Sequence, residues 1–128
     1  MKILIVEDNF IERNLMVSML KQYGTCHIAV NGEEAINVFK DSFEDPYDVI
    51  CLDINMPVKN GQEALKEIRE FESNLDVSLK TKIIMTTGMS DGHNMVDAFD
   101  QKCDGYLVKP IKLDDILELF TSLELVDK

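Results

Sequence analysis

The sequence predicts an α/β fold in which a five-stranded parallel sheet is doubly wound, with five helices covering its two faces. Five short apolar runs that lack polar alternation read as strands buried on both sides. Five stretches with apolar residues at three- and four-residue spacing follow them one for one. At 128 residues the chain is long enough for one such core without a disulfide or a structural metal.

The elements follow in order. Lys2 to Val6 is the first strand, and the helix after it carries Ile11, Leu15, Met16, Met19 and Leu20. Asn9 with Glu12 has the spacing of a capping box at its start. Cys26 to Val30 is the second strand; Asn31 with Glu34 then opens a helix built on Ala35, Ile36 and Phe39. Tyr47 to Leu52 leads to a third helix with Ala64, Leu65 and Ile68. Lys82 to Thr86 is the fourth strand, and Ser90 is placed to cap a fourth helix carrying Met95, Ala98 and Phe99. Gly105 to Val108 and a helix of Leu113, Ile116, Leu117 and Phe120 close the pattern. Right-handed βα crossovers place ligands beyond the C-terminal ends of the strands, so chemistry is expected at that edge.

Composition narrows the function. Thirteen basic against 24 acidic residues give a formal net charge of −11, which repels nucleic acid and anionic lipid. The apolar stretch Ile3 to Val6 meets Glu7 and Asp8 too soon for a signal peptide, and no run approaches a membrane span. A cytoplasmic location is expected. Cys26, Cys51 and Cys103 lack metal-site spacing and suit reduced thiols; His27 and His93 stand far apart. No linker or low-complexity tract divides the chain, so 1–128 reads as one domain without an output domain, acting through a partner as a monomer.

At the strand ends stand Glu7 and Asp8, Asp53, Thr87 with Gly88, and Lys109 with Pro110. Converging carboxylates repel one another unless a hard cation with oxygen ligands neutralises them, which points to Mg2+, or Mn2+ with the same ligands. With a cation in place Asp53 can stay ionised and attack phosphorus. Lys109 then offsets charge on the phosphoryl oxygens, and Thr87 donates to one of them.

These residues, in this order, resemble the response-regulator receivers of the CheY-like superfamily. The resemblance runs through Ile3-Leu-Ile-Val-Glu-Asp-Asn9, Asn31-Gly-Glu-Glu-Ala35, Tyr47-Asp-Val-Ile-Cys-Leu-Asp-Ile-Asn-Met-Pro57, Gly61, Thr87-Gly88 and Gly105-Tyr-Leu-Val-Lys-Pro110. It implies the flavodoxin-like strand order 2-1-3-4-5 and two-component signal transduction by a single-domain member. It also implies that Asp53 is the phosphoacceptor and that Asp8, Asp53 and the backbone carbonyl of Asn55 bind Mg2+, with Glu7 assisting directly or through water. Thr87 becomes the switch hydroxyl, Lys109 the phosphoryl counter-charge and Tyr106 the switching aromatic. A cis bond before Pro110 belongs to the same pattern. Implied partners are a histidine kinase or histidine phosphotransfer protein as donor. A downstream effector would dock on the face made by the fourth helix, fifth strand and fifth helix. Against the family pattern, Glu7 replaces the commoner Asp, Asn60 replaces Asp before the glycine, and Glu72 to Thr81 is longer, holding Leu75, Val77 and Leu79.

Other functions remain to be weighed. The chain would catalyse its own phosphorylation and dephosphorylation without multiple turnover. A haloacid-dehalogenase type of hydrolase wants an acid two residues after the nucleophile, where this chain has Asn55. Neither G-x-G-x-x-G nor a Walker A sequence is present. Within the receiver reading, the chain is a chemotaxis-type switch, a phosphorelay intermediate that passes phosphate to a histidine phosphotransfer protein, or a binding module that never takes phosphate. Val6-Glu-Asp-Asn with Glu12-Arg-Asn-Leu-Met looks like receivers of hybrid kinases and relays.

Overall fold

A computed structural model of the chain describes residues 1–42, 44–74, 81–88 and 103–126. The apolar runs form β1 (Lys2–Val6), β2 (Thr25–Ala29), β3 (Val49–Asp53), β4 (Lys82–Thr87) and β5 (Gly105–Val108). They lie in one parallel sheet in the order β2-β1-β3-β4-β5, as expected. The described helices are α1 (Phe10–Leu20), α2 (Gly32–Asp41), α3 (Gly61–Ser73) and α4 (Leu113–Ser122), the last being the fifth that the sequence predicts. The predicted fourth, with Ser90, Met95, Ala98 and Phe99, lies outside the described residues, as do His93 and the Leu75, Val77, Leu79 stretch.

Sheet position explains how the strands differ in burial. Along β1 and β3 successive side chains point to opposite faces, and both faces are covered, so every residue from Ile3 to Val6 and from Val49 to Asp53 is buried. Leu4, Val6, Ile50, Leu52, Ile83 and Met85 pack on one side with Ala35, Ile36 and Phe39 of α2 and Ala64, Leu65 and Ile68 of α3. Ile3, Ile5, Val49, Cys51, Ile84 and Leu107 pack on the other with Met16, Met19 and Leu20 of α1 and Ile116 and Phe120 of α4. Truncating a residue such as Phe120, which is fully buried, costs about 3–5 kcal/mol. The edge strands depart from the expectation of two buried faces. In β5 burial alternates, with Tyr106 and Val108 outward, and in β2 Ala29 alone is fully buried.

Asparagines start the first three helices. Asn9, Asn31 and Asn60 each accept the backbone N–H three residues on, from Glu12, Glu34 and Glu63, a cap worth ~1 kcal/mol. The complete capping box forms at Asn60 with Glu63; Glu12 turns its carboxylate to Lys109 instead. Far from these helix starts, at the N-terminal ends of β4 and β5, Arg69 bonds Glu72 and Asp104, both at 2.7 Å, and the Thr81 carbonyl at 2.9 Å. The Asp104 carboxylate also accepts the Ile83 N–H at 2.7 Å, so one guanidinium ties α3 to two strand starts.

Candidate functional site

At the C-terminal edge, the sheet register sets the roots of the site. Glu7 follows β1 and donates its N–H to Ala29 O at 3.1 Å, while Asp53 ends β3 opposite Thr86. Lys109 follows β5, and its N–H bonds Thr87 O at 2.7 Å, which fixes where the long side chain starts. The Lys109–Pro110 peptide is cis. From that root Lys109 Nζ reaches Glu7 at 2.9 Å, Glu12 at 3.1 Å and Asp53 at 3.2 Å.

Three carboxylates thus share one ammonium. Glu7 and Asp53 are almost wholly buried, with side chains 4% and 6% exposed, and Glu12 comes in from the first turn of α1. Burial pushes the Glu7 carboxyl up to about 7; the bond from Lys109 opposes this, and the neighbouring Asp53 adds to it. For Lys109 burial acts downward, but the bond to Glu7 and the charges of Asp53 and Glu7 outweigh it, so its pKa rises and the ammonium is firmly held. The second oxygens are held by backbone: Asn9 N–H bonds Glu7 Oε2 at 3.1 Å, and Asn55 N–H bonds Asp53 Oδ1 at 3.2 Å.

Of the residues that the sequence proposed, Glu7, Asp53 and Lys109 are in direct contact. Thr87 is fully buried at the end of β4 and donates its hydroxyl to Gly88 O at 3.2 Å. Asp8 is exposed one residue past Glu7, and Asn55 is exposed on the loop after β3. Tyr106 is 37% exposed on β5 and lines a groove with Leu119 and Ser122 of α4. Sequence reasoning missed Glu12 as a site residue. Its place in the turn directly after a strand-end carboxylate is the available signal, though the Asn9–Glu12 spacing by itself points only to capping.

The loop from β3 into α3 borders the site and is tightly built. Gly61 packs on Asp53, where an added Cβ would stand 2.2 Å from Asp53 O, and Gly32 packs on the loop, where a Cβ would stand 2.3 Å from Lys59 O. Lys59 pairs with Glu33 and Glu67. Val58 at the loop's apex is 79% exposed with φ 67°, in the left-handed region that a β-branched residue rarely adopts.

Glu7, Glu12 and Asp53 each offer an oxygen within 4.8 Å of the others, a hard donor set without imidazole or thiolate that fits Mg2+ or Mn2+ better than Zn2+. Cys51 is buried in β3 and pushed up to about 12 by burial, which leaves it inert as a nucleophile. No helix among the described residues is long and apolar enough to cross a membrane.

Residues 3–121 match the family model of the response regulator receiver domain. Among curated relatives, the chain is 39% identical over 119 residues to hybrid signal transduction histidine kinase G of Dictyostelium discoideum, covering 91% of this chain and 3% of that protein. It is 31% identical to the chemotaxis protein CheY of Halobacterium salinarum, covering 95% of each. A solved structure of the Saccharomyces cerevisiae phosphotransfer protein Ypd1 with the receiver domain of the response regulator Ssk1 matches with TM-score 0.83 and 29% identity, covering 100% of this chain and 93% of that one.

Proposed function

The chain belongs to the response regulator receiver family, and from that premise we propose that Asp53 is the phosphoacceptor of a Mg2+-dependent switch. One observation carries the reading: Asp53 and Lys109, 56 positions apart, meet at 3.2 Å beside a second buried carboxylate. Asp53 Oδ would bond phosphorus while the P–N bond of a phosphohistidine breaks, its electron pair staying on the imidazole nitrogen. Asp8, Asp53 and the Asn55 carbonyl would hold Mg2+, with Glu7 assisting directly or through water, and the ion would supply charge neutralisation for the phosphoryl oxygens. Lys109 is the counter-charge on the phosphoryl oxygens. Thr87, at the end of the adjoining strand, exchanges its bond to Gly88 O for one to the phosphoryl group, worth roughly 1.5–3 kcal/mol. That is a population shift of about tenfold to a hundredfold, enough to bias a surface that includes Tyr106 and α4 toward an effector.

The donor is a histidine kinase or histidine phosphotransfer protein. Likeness to a hybrid-kinase receiver and to a receiver crystallised with Ypd1 favours the relay form of this role. Exposed Phe10, Ile11 and Leu15 on α1 give such a donor an apolar seat beside the site. Incubation with acetyl phosphate, with and without Mg2+, read by intact mass beside Asp53→Asn, tests the chemistry. The expected result is one added phosphoryl in the wild type with Mg2+ alone. Equal labelling of the variant, or none in either, overturns the proposal.

A further inference from the structure

Glu12 enters the site from a helix rather than a strand end, and the phosphoacceptor chemistry does not call for it. Its carboxylate is 3.1 Å from Lys109 Nζ and its side chain is 45% exposed, against 4% for Glu7 and 6% for Asp53. An ammonium has three N–H donors, and these three carboxylates occupy all of them. A phosphoryl oxygen arriving at Asp53 therefore needs a donor that is already engaged. Glu12 is the partner released at least cost, because water can solvate its half-exposed carboxylate in place of the ammonium.

We propose that Glu12 is a positioning residue. It holds the Lys109 ammonium over the buried carboxylates while no phosphoryl group is present, competes with the phosphoryl oxygen for that ammonium, and adds a negative charge that favours a divalent cation. This rests on the phosphoacceptor reading and deepens it: at this site cation binding and phosphoryl binding are set against each other by one side chain. A merely structural glutamate would not move the two in opposite directions.

Calorimetric titration of the full chain with Mg2+, and then with beryllofluoride as a phosphoryl mimic at saturating Mg2+, tests it. Glu12→Gln keeps the shape and removes the charge. It should weaken Mg2+ about three- to tenfold and tighten beryllofluoride by a similar factor, sizes typical of a half-exposed charge pair. Glu12→Asp keeps the charge but withdraws it from Lys109, so it should leave Mg2+ affinity within about twofold of wild type and still tighten beryllofluoride. Both constants unchanged in Glu12→Gln, or both moving the same way, overturns the proposal, as does wild-type beryllofluoride affinity in Glu12→Asp. A wild type that binds neither ligand instead sinks the phosphoacceptor reading, and this inference with it.

Discussion

Metal-free protein should lose stability as pH rises through the Glu7 transition. The folded carboxyl sits at about 7 against an ordinary 4.5, chiefly through burial. Between those values the native state binds more protons than the unfolded chain, so stability falls with rising pH and the full cost stands above pH 7. At ~1.36 kcal/mol per pH unit that cost is at most about 3 kcal/mol, of which about 2 kcal/mol appears between pH 5 and pH 8. Other acids also titrate in a chain of net charge −11, so the quantity to measure is a difference. Urea unfolding of the wild type and of Glu7→Gln, in chelator, across pH 5–8, isolates the one group. The wild type should fall relative to the variant by about 2 kcal/mol, and saturating Mg2+ should flatten the difference because a cation holds Glu7 ionised. A flat difference in chelator, or one that grows in favour of the wild type with rising pH, refutes the reasoning.

Lys109→Met leaves three carboxylates without their ammonium and should cost about 2–4 kcal/mol in metal-free buffer, most of it regained with Mg2+; urea midpoints with and without the ion check this. Arg69→Ala removes the cation that joins buried Glu72 to Asp104 and Thr81 O. It should cost about 3 kcal/mol while acetyl phosphate labelling persists, since the network lies at the opposite sheet edge; loss of labelling in a folded variant would contradict that. Val58→Asn relieves a β-branched side chain from φ 67° and should stabilise by about 1 kcal/mol, read as a rise in Tm.

The fold was legible because the chain punctuates itself: unbroken runs such as Ile3 to Val6 and Val49 to Leu52 could be buried on two faces and nowhere else. Asn-x-x-Glu spacings mark helix starts, although the complete box forms at Asn60, the residue that stands in place of the family's aspartate. The bounds of β1 and β5 match the apolar runs, whereas those of β2, β3 and β4 differ by one or two residues, because a backbone ladder, not apolarity, ends a strand. Tyr47 is buried but precedes the ladder of β3, and Val30 is apolar but lies past that of β2. At the site, residue types at strand ends placed Glu7, Asp53 and Lys109 together. They did not reveal the reach of a helical side chain, so the part Glu12 plays needed three-dimensional geometry. Burial was equally hidden, and it is burial, more than neighbouring charge, that displaces the Glu7 carboxyl.

Asp53 closes the central strand, one residue past the last pair with β1 (Val6 with Leu52) and itself paired with Thr86 of β4, with the backbone of Gly61 pressed against its carbonyl. Its main chain is therefore held between β4 and the start of α3, and a group attached there has little room to ease its own crowding by retreating. The strain of any added bulk travels outward through side chains into looser surroundings, in the way that a wedge driven beside a fixed post moves the fence and leaves the post standing.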